Sequence, residues 1–434
     1  LDTISDIAKE KAYLVGVGVR GTHPLLTVDE SLEELTLLAE TAGLEVVGIT
    51  QQIVNQIVPK TFIGSGKAEE IKSDIESYEA HTVIFDDELS PRHQRELEKL
   101  FGEKIKVLDR SALIIDIFGQ HARTHEGRLQ VELAQYEYLL PRLTRQWTHL
   151  ERQAGGGGAR GGSGGVGLRG PGETQLEVDR REIGRKISKL KSELEQVRAH
   201  RSRHRKQRRK VGVPVISMVG YTNAGKSTLM NKMAGADVYA ADQLFATLDP
   251  TTRKVLLPTN KEILFSDTVG FIQKLPTTLV IAFRATLEEI SEADVILHVV
   301  DSAHTLALQQ IESVEDTLAE IDVPHIPKIL VLNKTDLWGS PHHAQQFKDL
   351  GYDEIIAVSA YTGDGIDKLL ETIATVLRDQ MEVFDALISY RDGQLISQLH
   401  TVGIVESEEH TNDGVIMKGY APPYLVQQLP TKDK

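Results

Sequence analysis

Residues 220–227 read Gly-Tyr-Thr-Asn-Ala-Gly-Lys-Ser, and residues 333–336 read Asn-Lys-Thr-Asp. The first string has the spacing G-x-x-x-x-G-K-S/T. Gly220 and Gly225, with Tyr221, Thr222, Asn223 and Ala224 between them, let backbone N–H groups curl around the α- and β-phosphates of a nucleotide. Lys226 reaches the β/γ-phosphates, and the Ser227 hydroxyl ligates Mg2+. The second string, Asn333, Lys334, Thr335 and Asp336, supplies base identity. The Asp336 carboxylate accepts two N–H bonds from guanine and would be badly paired by adenine. A buried polar site rejects a ligand that strands its own groups.

Two further strings complete the set. Asp267-Thr268-Val269-Gly270 fits Asp-x-x-Gly, in which the Asp binds Mg2+ through water and the Gly N–H senses the γ-phosphate. Ser359 and Ala360, followed by Tyr361, would back the guanine O6. One P-loop string can arise by chance, but four strings in this order argue against it.

The elements that must position these residues are legible. Residues 213–219 form a short apolar run, as a buried parallel strand should, and a helical stretch opens at Ser227 and runs over 228–236. That order places phosphate at a helix N-terminus. Strands over 262–266, 294–300, 328–332 and 354–358 put every motif at a carboxyl end, where open α/β sheets bind ligands. Upstream, strands over 13–19, 45–50, 82–85 and 106–108 alternate with helices over 28–42, 68–78 and 90–101, which predicts a parallel α/β domain. Gly64-Ser65-Gly66-Lys67 resembles the end of a second P-loop. Thr61 holds the slot of its first glycine and Ala68 the slot of its hydroxyl, so it reads as a helix-opening turn. Residues 384–390, 392–400, 401–406 and 414–419 predict a small α+β tail of strand, helix and hairpin.

Between these regions lie two apolar seams. Leu129, Leu133, Tyr136, Leu140, Leu143 and Trp147 follow 4-3-4-3-4 spacing; Ile183, Ile187, Leu190, Leu194 and Val197 follow 4-3-4-3, with Leu176 seven residues earlier. Pro141 is expected to kink the first helix without necessarily ending it. Residues 154–172 hold eleven glycines with Arg160 and Arg169. The expectation is an antiparallel hairpin whose second helix spans about 55 Å at 1.5 Å per residue, with a mobile glycine-rich tip. The plain alternative is an interdomain linker.

The 434 residues carry a net charge of −14, yet fourteen Lys/Arg against three Glu give residues 180–210 a charge of +11. An acidic protein with one basic element suggests contact with a polyanion along that element; a solvated helix face is the alternative. The chain has no cysteine, which excludes disulfides and zinc ribbons, and its fifteen histidines show no ligand spacing. No apolar run approaches a membrane span and no signal-peptide pattern is seen, so a cytoplasmic protein, expected to be monomeric, is the reading. The expected fold class is multidomain α/β. An N-terminal α/β domain over 1–120 precedes a helical hairpin with a Gly-rich loop over 121–210. A P-loop domain over 211–381 and a small α+β domain over 382–434 follow.

With these residues in hand, the chain closely resembles the HflX family of translational GTPases. The resemblance covers essentially the whole length. It rests on Gly-Leu-Arg-Gly-Pro-Gly-Glu-Thr-Gln-Leu-Glu at 167–177, Phe-Ala-Thr-Leu-Asp-Pro-Thr at 245–251, Asp-Thr-Val-Gly-Phe at 267–271, and the domain order. It implies binding to the large ribosomal subunit through the basic helix 180–210 and the Gly-rich loop, which would reach toward the peptidyl-transferase region. It also implies splitting of stalled or idle ribosomes, with GTP hydrolysis to GDP resetting the factor. The resemblance further assigns a switch over Phe245, Ala246, Thr247, Leu248 and Asp249, with Thr247 as the second protein ligand of Mg2+; Thr251 and Thr252 compete for that role on sequence alone. Lys226, Thr247 and Gly270 are then the catalytic set. Phe271 stands where many GTPases place a water-orienting Gln, so intrinsic hydrolysis is expected to be slow unless the ribosome supplies that group. Asn223 resembles the K+-ligating asparagine of potassium-activated GTPases, although Asn is also an ordinary turn residue. Two alternatives stand beside this reading: a ribosome-assembly or RNA-remodelling GTPase, and a GTP-gated binding protein with negligible hydrolysis.

Overall fold

The computed structural model describes residues 9–145, 171–211, 213–235, 244–245, 251–276, 279, 282–283, 290–320, 323, 326–339, 341–348 and 350–430, with side chains of the long helix over 177–201. The chain divides into two compact units. One comprises Leu1–Val197 with Gln243–Phe245 and Lys274–Phe283; the other holds the rest.

The N-terminal unit is built on a four-stranded parallel sheet of β1 (Lys11–Val19), β2 (Glu45–Val54), β3 (Thr82–Phe85) and β4 (Lys106–Asp109), in the order β2-β1-β3-β4. Helices α1 (Val28–Thr41), α2 (Ser65–Tyr78) and α3 (Pro91–Phe101) connect the strands. Local chemistry starts them. Thr27 and Glu30 form a reciprocal capping box on α1, and Ser90 caps α3 with Pro91 at the first helical position. Gly64 is the N-cap of α2, as a helix-opening turn requires. A further helix, α4 (Arg110–His121), follows β4 without a loop because Asp109 is both strand end and N-cap, its Oδ1 accepting from Ala112 N–H at 2.8 Å. The sequence reading had missed α4.

The first seam helix ends at its proline. The α-helix α5 (His125–Leu139) stops before Pro141, and Leu140–Arg145 continue as a 3-10 turn. Proline has no N–H for the i→i−4 ladder, so the helix tightens and ends there. Trp147 lies outside the described residues, as do the Gly-rich residues 154–170. The second helix, α6 (Pro171–Val211), has 41 residues and is thus about 60 Å long. Leu129 and Leu133 of α5 share one apolar cluster with Ile187, Leu190 and Leu194 of α6. Lys191 pairs with Glu137 at 2.8 Å beside that seam.

The second unit holds a six-stranded sheet in the order β10-β9-β8-β5-β7-β6. Its strands are β5 (Val215–Val219), β6 (Thr251–Leu256), β7 (Glu262–Asp267), β8 (Val295–Asp301), β9 (Lys328–Asn333) and β10 (Glu354–Ala357). All pairings are parallel except that of β6, an antiparallel edge strand on β7 that the sequence reading had not placed. Helices α7 (Lys226–Met233), α8 (Ala307–Glu320) and α9 (Ile366–Asp379) accompany it. A three-stranded antiparallel sheet closes the chain: β11 (Glu382–Ile388), β12 (Ile404–His410) and β13 (Val415–Ala421), in the order β11-β13-β12, packed on α10 (Gly393–Val402). Among the described residues no helix is long and apolar enough to cross a membrane.

Candidate nucleotide-binding site

The sheet brings the four strings to one edge. β5 lies between β7 and β8, and β9 follows β8, so the loops after β5, β7 and β9 emerge side by side at their carboxyl ends. The loop after β5 turns through positive φ at Gly220 (151°), Asn223 (59°) and Gly225 (90°). Two of these positions have no room for a side chain. A Cβ on Gly220 would sit 2.1 Å from the Val299 carbonyl oxygen of β8, and one on Gly225 would sit 2.3 Å from Asn333 Nδ2.

Lys226 opens α7 and is buried. Its Nζ donates to the carbonyls of Gly220 (3.0 Å) and Tyr221 (2.8 Å). Burial pushes its pKa down to about 8, against the opposing pull of the Asp267 carboxylate. An arriving phosphate restores charge to this amine, so binding takes up a proton wherever the free lysine is neutral. Nucleotide affinity is therefore expected to be flat below about pH 8 and to fall as pH rises above it. Titration calorimetry in buffers of different ionisation enthalpy reads that uptake directly; no proton uptake between pH 8 and 9.5 would contradict it.

Ser227 Oγ donates to Asp267 Oδ2 at 2.8 Å. A hydroxyl and a buried carboxylate in contact are a hard-oxygen pair that fits Mg2+. Thr268 Oγ1 donates to the Met218 carbonyl at 2.6 Å, which ties the turn after β7 back onto β5. Gly270 comes so near the P-loop that a Cβ there would be 2.9 Å from Thr222 Cγ2 and 3.2 Å from Lys226 Nζ. Val269 is buried just before it. Phe271 is 2% exposed, and its backbone is stitched to the P-loop. Its N–H donates to Gly220 O at 3.1 Å, and its carbonyl accepts from Thr222 N–H at 2.8 Å. The ring is core, and the peptide is what bonds to the P-loop.

The base-reading strings interlock. Asn333 Nδ2 donates to Ala224 O at 2.9 Å, and its Oδ1 accepts from Ala360 N–H at 3.0 Å, joining P-loop, Asn-Lys-Thr-Asp and Ser-Ala in one residue. Ser359 Oγ donates to Asp336 Oδ1 at 2.6 Å, and Thr335 N–H donates to Val358 O at 3.2 Å. Tyr361, next in the chain, is 83% exposed. Lys334 stands at positive φ (63°), with its Nζ 2.8 Å from Asp301 Oδ2. Ser302 Oγ donates to Asn333 O at 2.6 Å and accepts from Trp338 Nε1 at 2.9 Å. Sequence reasoning missed Asp301, Ser302 and Trp338. The available signal was that Asp301 ends a strand at the same sheet edge as the motifs.

The switch residues are placed unevenly. Ala246, Thr247, Leu248 and Asp249 lie outside the described residues. Phe245 belongs to the N-terminal unit, its ring buried 4.6 Å from the ring of Phe118, so what it presents there is packing surface. Thr251 and Thr252 are exposed residues of β6 paired with Asp267 and Ser266.

Four family models match in succession: GTP-binding GTPase N-terminal over residues 29–119, GTP-binding GTPase middle region over 121–208, 50S ribosome-binding GTPase over 215–334, and HflX C-terminal domain over 345–419. The GTPase HflX of Escherichia coli K12 is 43% identical over 412 residues, which is 94% of this chain and 92% of that protein. The GTPase HflX of Caldanaerobacter subterraneus is 42% identical over 428 residues, 99% of this chain and 95% of that protein. Among solved structures, a GTP-binding protein of Sulfolobus solfataricus in complex with GDP is 26% identical, with a TM-score of 0.44, covering 85% of this chain and 98% of that one. With four complete nucleotide-reading strings gathered on one sheet edge and relatives this similar over nearly its whole length, the chain belongs to the HflX family of GTPases and is a GTP hydrolase that binds GTP and GDP.

Proposed function

We propose that this GTPase binds the large ribosomal subunit and splits stalled or idle ribosomes, with hydrolysis resetting the factor. One observation carries the reading furthest. On α6 the apolar seam is buried in the cluster with α5, while Arg180, Arg181, Arg185, Lys186, Lys189 and Lys191 are exposed. A packed helix with a row of exposed cations, some of them in surface ion pairs, suits a polyanion such as rRNA. The family model for the nucleotide domain, described as a 50S ribosome-binding GTPase, is consistent with that partner. In this reading residues 121–210 are an antiparallel hairpin with its Gly-rich loop at the tip, between a 1–120 domain and the 211–381 and 382–434 domains, in a cytoplasmic monomer.

At the nucleotide, Ser227, Thr247 and Asp267 hold Mg2+, Lys226 and Gly270 contact the γ-phosphate, and the residues of 220–227, 246–249, 267–270, 333–336 and 359–361 form the binding surface. The oxygen pair of Ser227 and Asp267 supports the metal site. Asn223, exposed at positive φ, is the proposed K+ ligand.

Light scattering of intact ribosomes mixed with this protein tests the proposal. Scattering should fall with GTP and with a non-hydrolysable analogue but not with GDP. Retained binding to isolated large subunits without that fall would favour an assembly factor. Equal hydrolysis rates in KCl and NaCl would remove K+ from the site.

A further inference from the structure

The segment that carries Asp336 is short, and both of its ends close on one side chain. Lys334 turns at a positive φ of 63°, uncommon for a residue with a side chain, and Thr335–Leu337 form a 3-10 turn. Within it Leu337 N–H donates to Lys334 O at 3.0 Å, and Trp338 N–H donates to Thr335 O at 3.1 Å. Asp336 lies in the middle of this turn and is exposed. Its place therefore depends on how well the turn itself is held.

Ser302 holds the turn at its two ends. It follows β8 directly and is fully buried. Its N–H and its Oγ both donate to the Asn333 carbonyl, at 3.1 and 2.6 Å. The same Oγ accepts from Trp338 Nε1 at 2.9 Å. The Trp338 ring packs on the core cluster of Val300, Leu330, Leu332 and Phe347, so the N–H that it offers is anchored. One residue before Ser302, Asp301 pairs with Lys334. The hydroxyl thus donates to one end of Asn333–Trp338 and accepts from the other. Removing it leaves the Trp338 N–H without that acceptor, and an unmet buried donor costs more than the bond itself contributes.

We propose that Ser302 is a positioning residue for guanine recognition. It staples the two ends of Asn333–Trp338 and so holds Asp336 where both guanine N–H groups can reach its carboxylate. A loop already held loses less conformational freedom when a ligand orders it, so the staple adds affinity without touching the nucleotide. It acts at the base and not at the phosphates. It therefore favours GTP and GDP alike and leaves hydrolysis of bound GTP alone. The proposal rests on Asp336 as the base reader.

The test uses the full chain and titrates GDP against inosine diphosphate, which lacks the 2-amino group that Asp336 would accept from. Ser302→Ala keeps the backbone N–H bond to Asn333 and removes both hydroxyl bonds. GDP affinity should fall about tenfold and the preference for GDP over inosine diphosphate about threefold. Single-turnover hydrolysis at saturating GTP should stay within about twofold. A merely looser fold would lower both affinities by the same factor and leave their ratio unchanged. Trp338→Phe keeps the ring packing, removes the indole N–H, and should lower the preference by a smaller factor. An unchanged preference in Ser302→Ala would overturn the proposal, whether or not overall affinity falls. Asp336→Asn separates the two assignments. If it collapses the preference while Ser302→Ala does not, Asp336 reads the base and Ser302 does not position it. If it leaves the preference intact, the base reader is misassigned and the proposal falls with it.

Discussion

Asp336→Asn should exchange the nucleotide this protein accepts. Asp336 sits at the carboxyl edge of β9, with one oxygen taking the Ser359 hydroxyl at 2.6 Å. The carboxylate can accept from both guanine N–H groups, whereas an amide presents one acceptor and one donor. Guanine then faces an N–H where it needs an oxygen, and the mismatch is the kind a polar site rejects by roughly 10⁴-fold. Xanthine, which carries an oxygen where guanine has its amino group, matches the amide. Competition binding should show GTP affinity reduced by about 10³-fold or more and xanthosine triphosphate affinity raised. Equal GTP binding by parent and variant would mean that Asp336 does not read the base. The wider scaffold should hold, because Asn333, not Asp336, makes the bonds to Ala224 and Ala360.

Lys226→Met should abolish tight nucleotide binding and at the same time stabilise the free protein. The buried amine has only backbone carbonyls as hydrogen-bond acceptors, and its pKa of about 8 against an ordinary 10.5 corresponds to roughly 3 kcal/mol of penalty on the charged form. The sign follows from linkage. The unfolded chain holds this proton up to about pH 10.5 and the folded one only to about 8, so the penalty is full below pH 8 and fades as pH rises toward 10.5. Methionine has nearly the same shape without the charge, so it removes the penalty. It also removes the cation that faces the phosphates, a loss of order 2–5 kcal/mol or more for one partner of a buried charge pair. Thermal melts at pH 7 should therefore show a higher midpoint for the nucleotide-free variant, and GTP should no longer raise it. A lower midpoint would mean that the Lys226 bonds to Gly220 and Tyr221 outweigh its desolvation.

The opposite effects of that one substitution show what kind of information each level held. The turn that buries Lys226 was legible because it is local. Eight consecutive residues, with glycines at the two sterically closed positions, dictate their own backbone path. The seams of α5 and α6 were legible for the same reason, since a 3.6-residue period reports a helix face without knowing its partner. The parallel sheet of the N-terminal unit followed from alternating strand-like and helix-like runs.

Other features were out of reach of spacing. β6 was missed because an antiparallel edge strand with exposed Thr251 and Thr252 carries little apolar signal. α4 was missed because its cap, Asp109, is also the last residue of a strand. Pro141 marked a disruption, but whether the helix bent or stopped depended on contacts around Arg142, which is held by Gln94 and by the Leu89 carbonyl.

By itself, then, the sequence determined the local strings: a glycine loop, an Asn-Lys-Thr-Asp string, a hydroxyl and a carboxylate of the kind that suits a metal, and a basic helix. Tertiary structure alone decided how those parts are joined. It tied Asn333 to Ala224 across 109 residues, paired Lys334 with Asp301, turned the Phe271 ring inward while using its peptide, and seated Lys274 between Asp86 and Asp87. Motifs are legible when neighbours in the chain make the site. A bond between residues a hundred positions apart has no period and no composition, and it exists only once the strands between them have taken their order in the sheet.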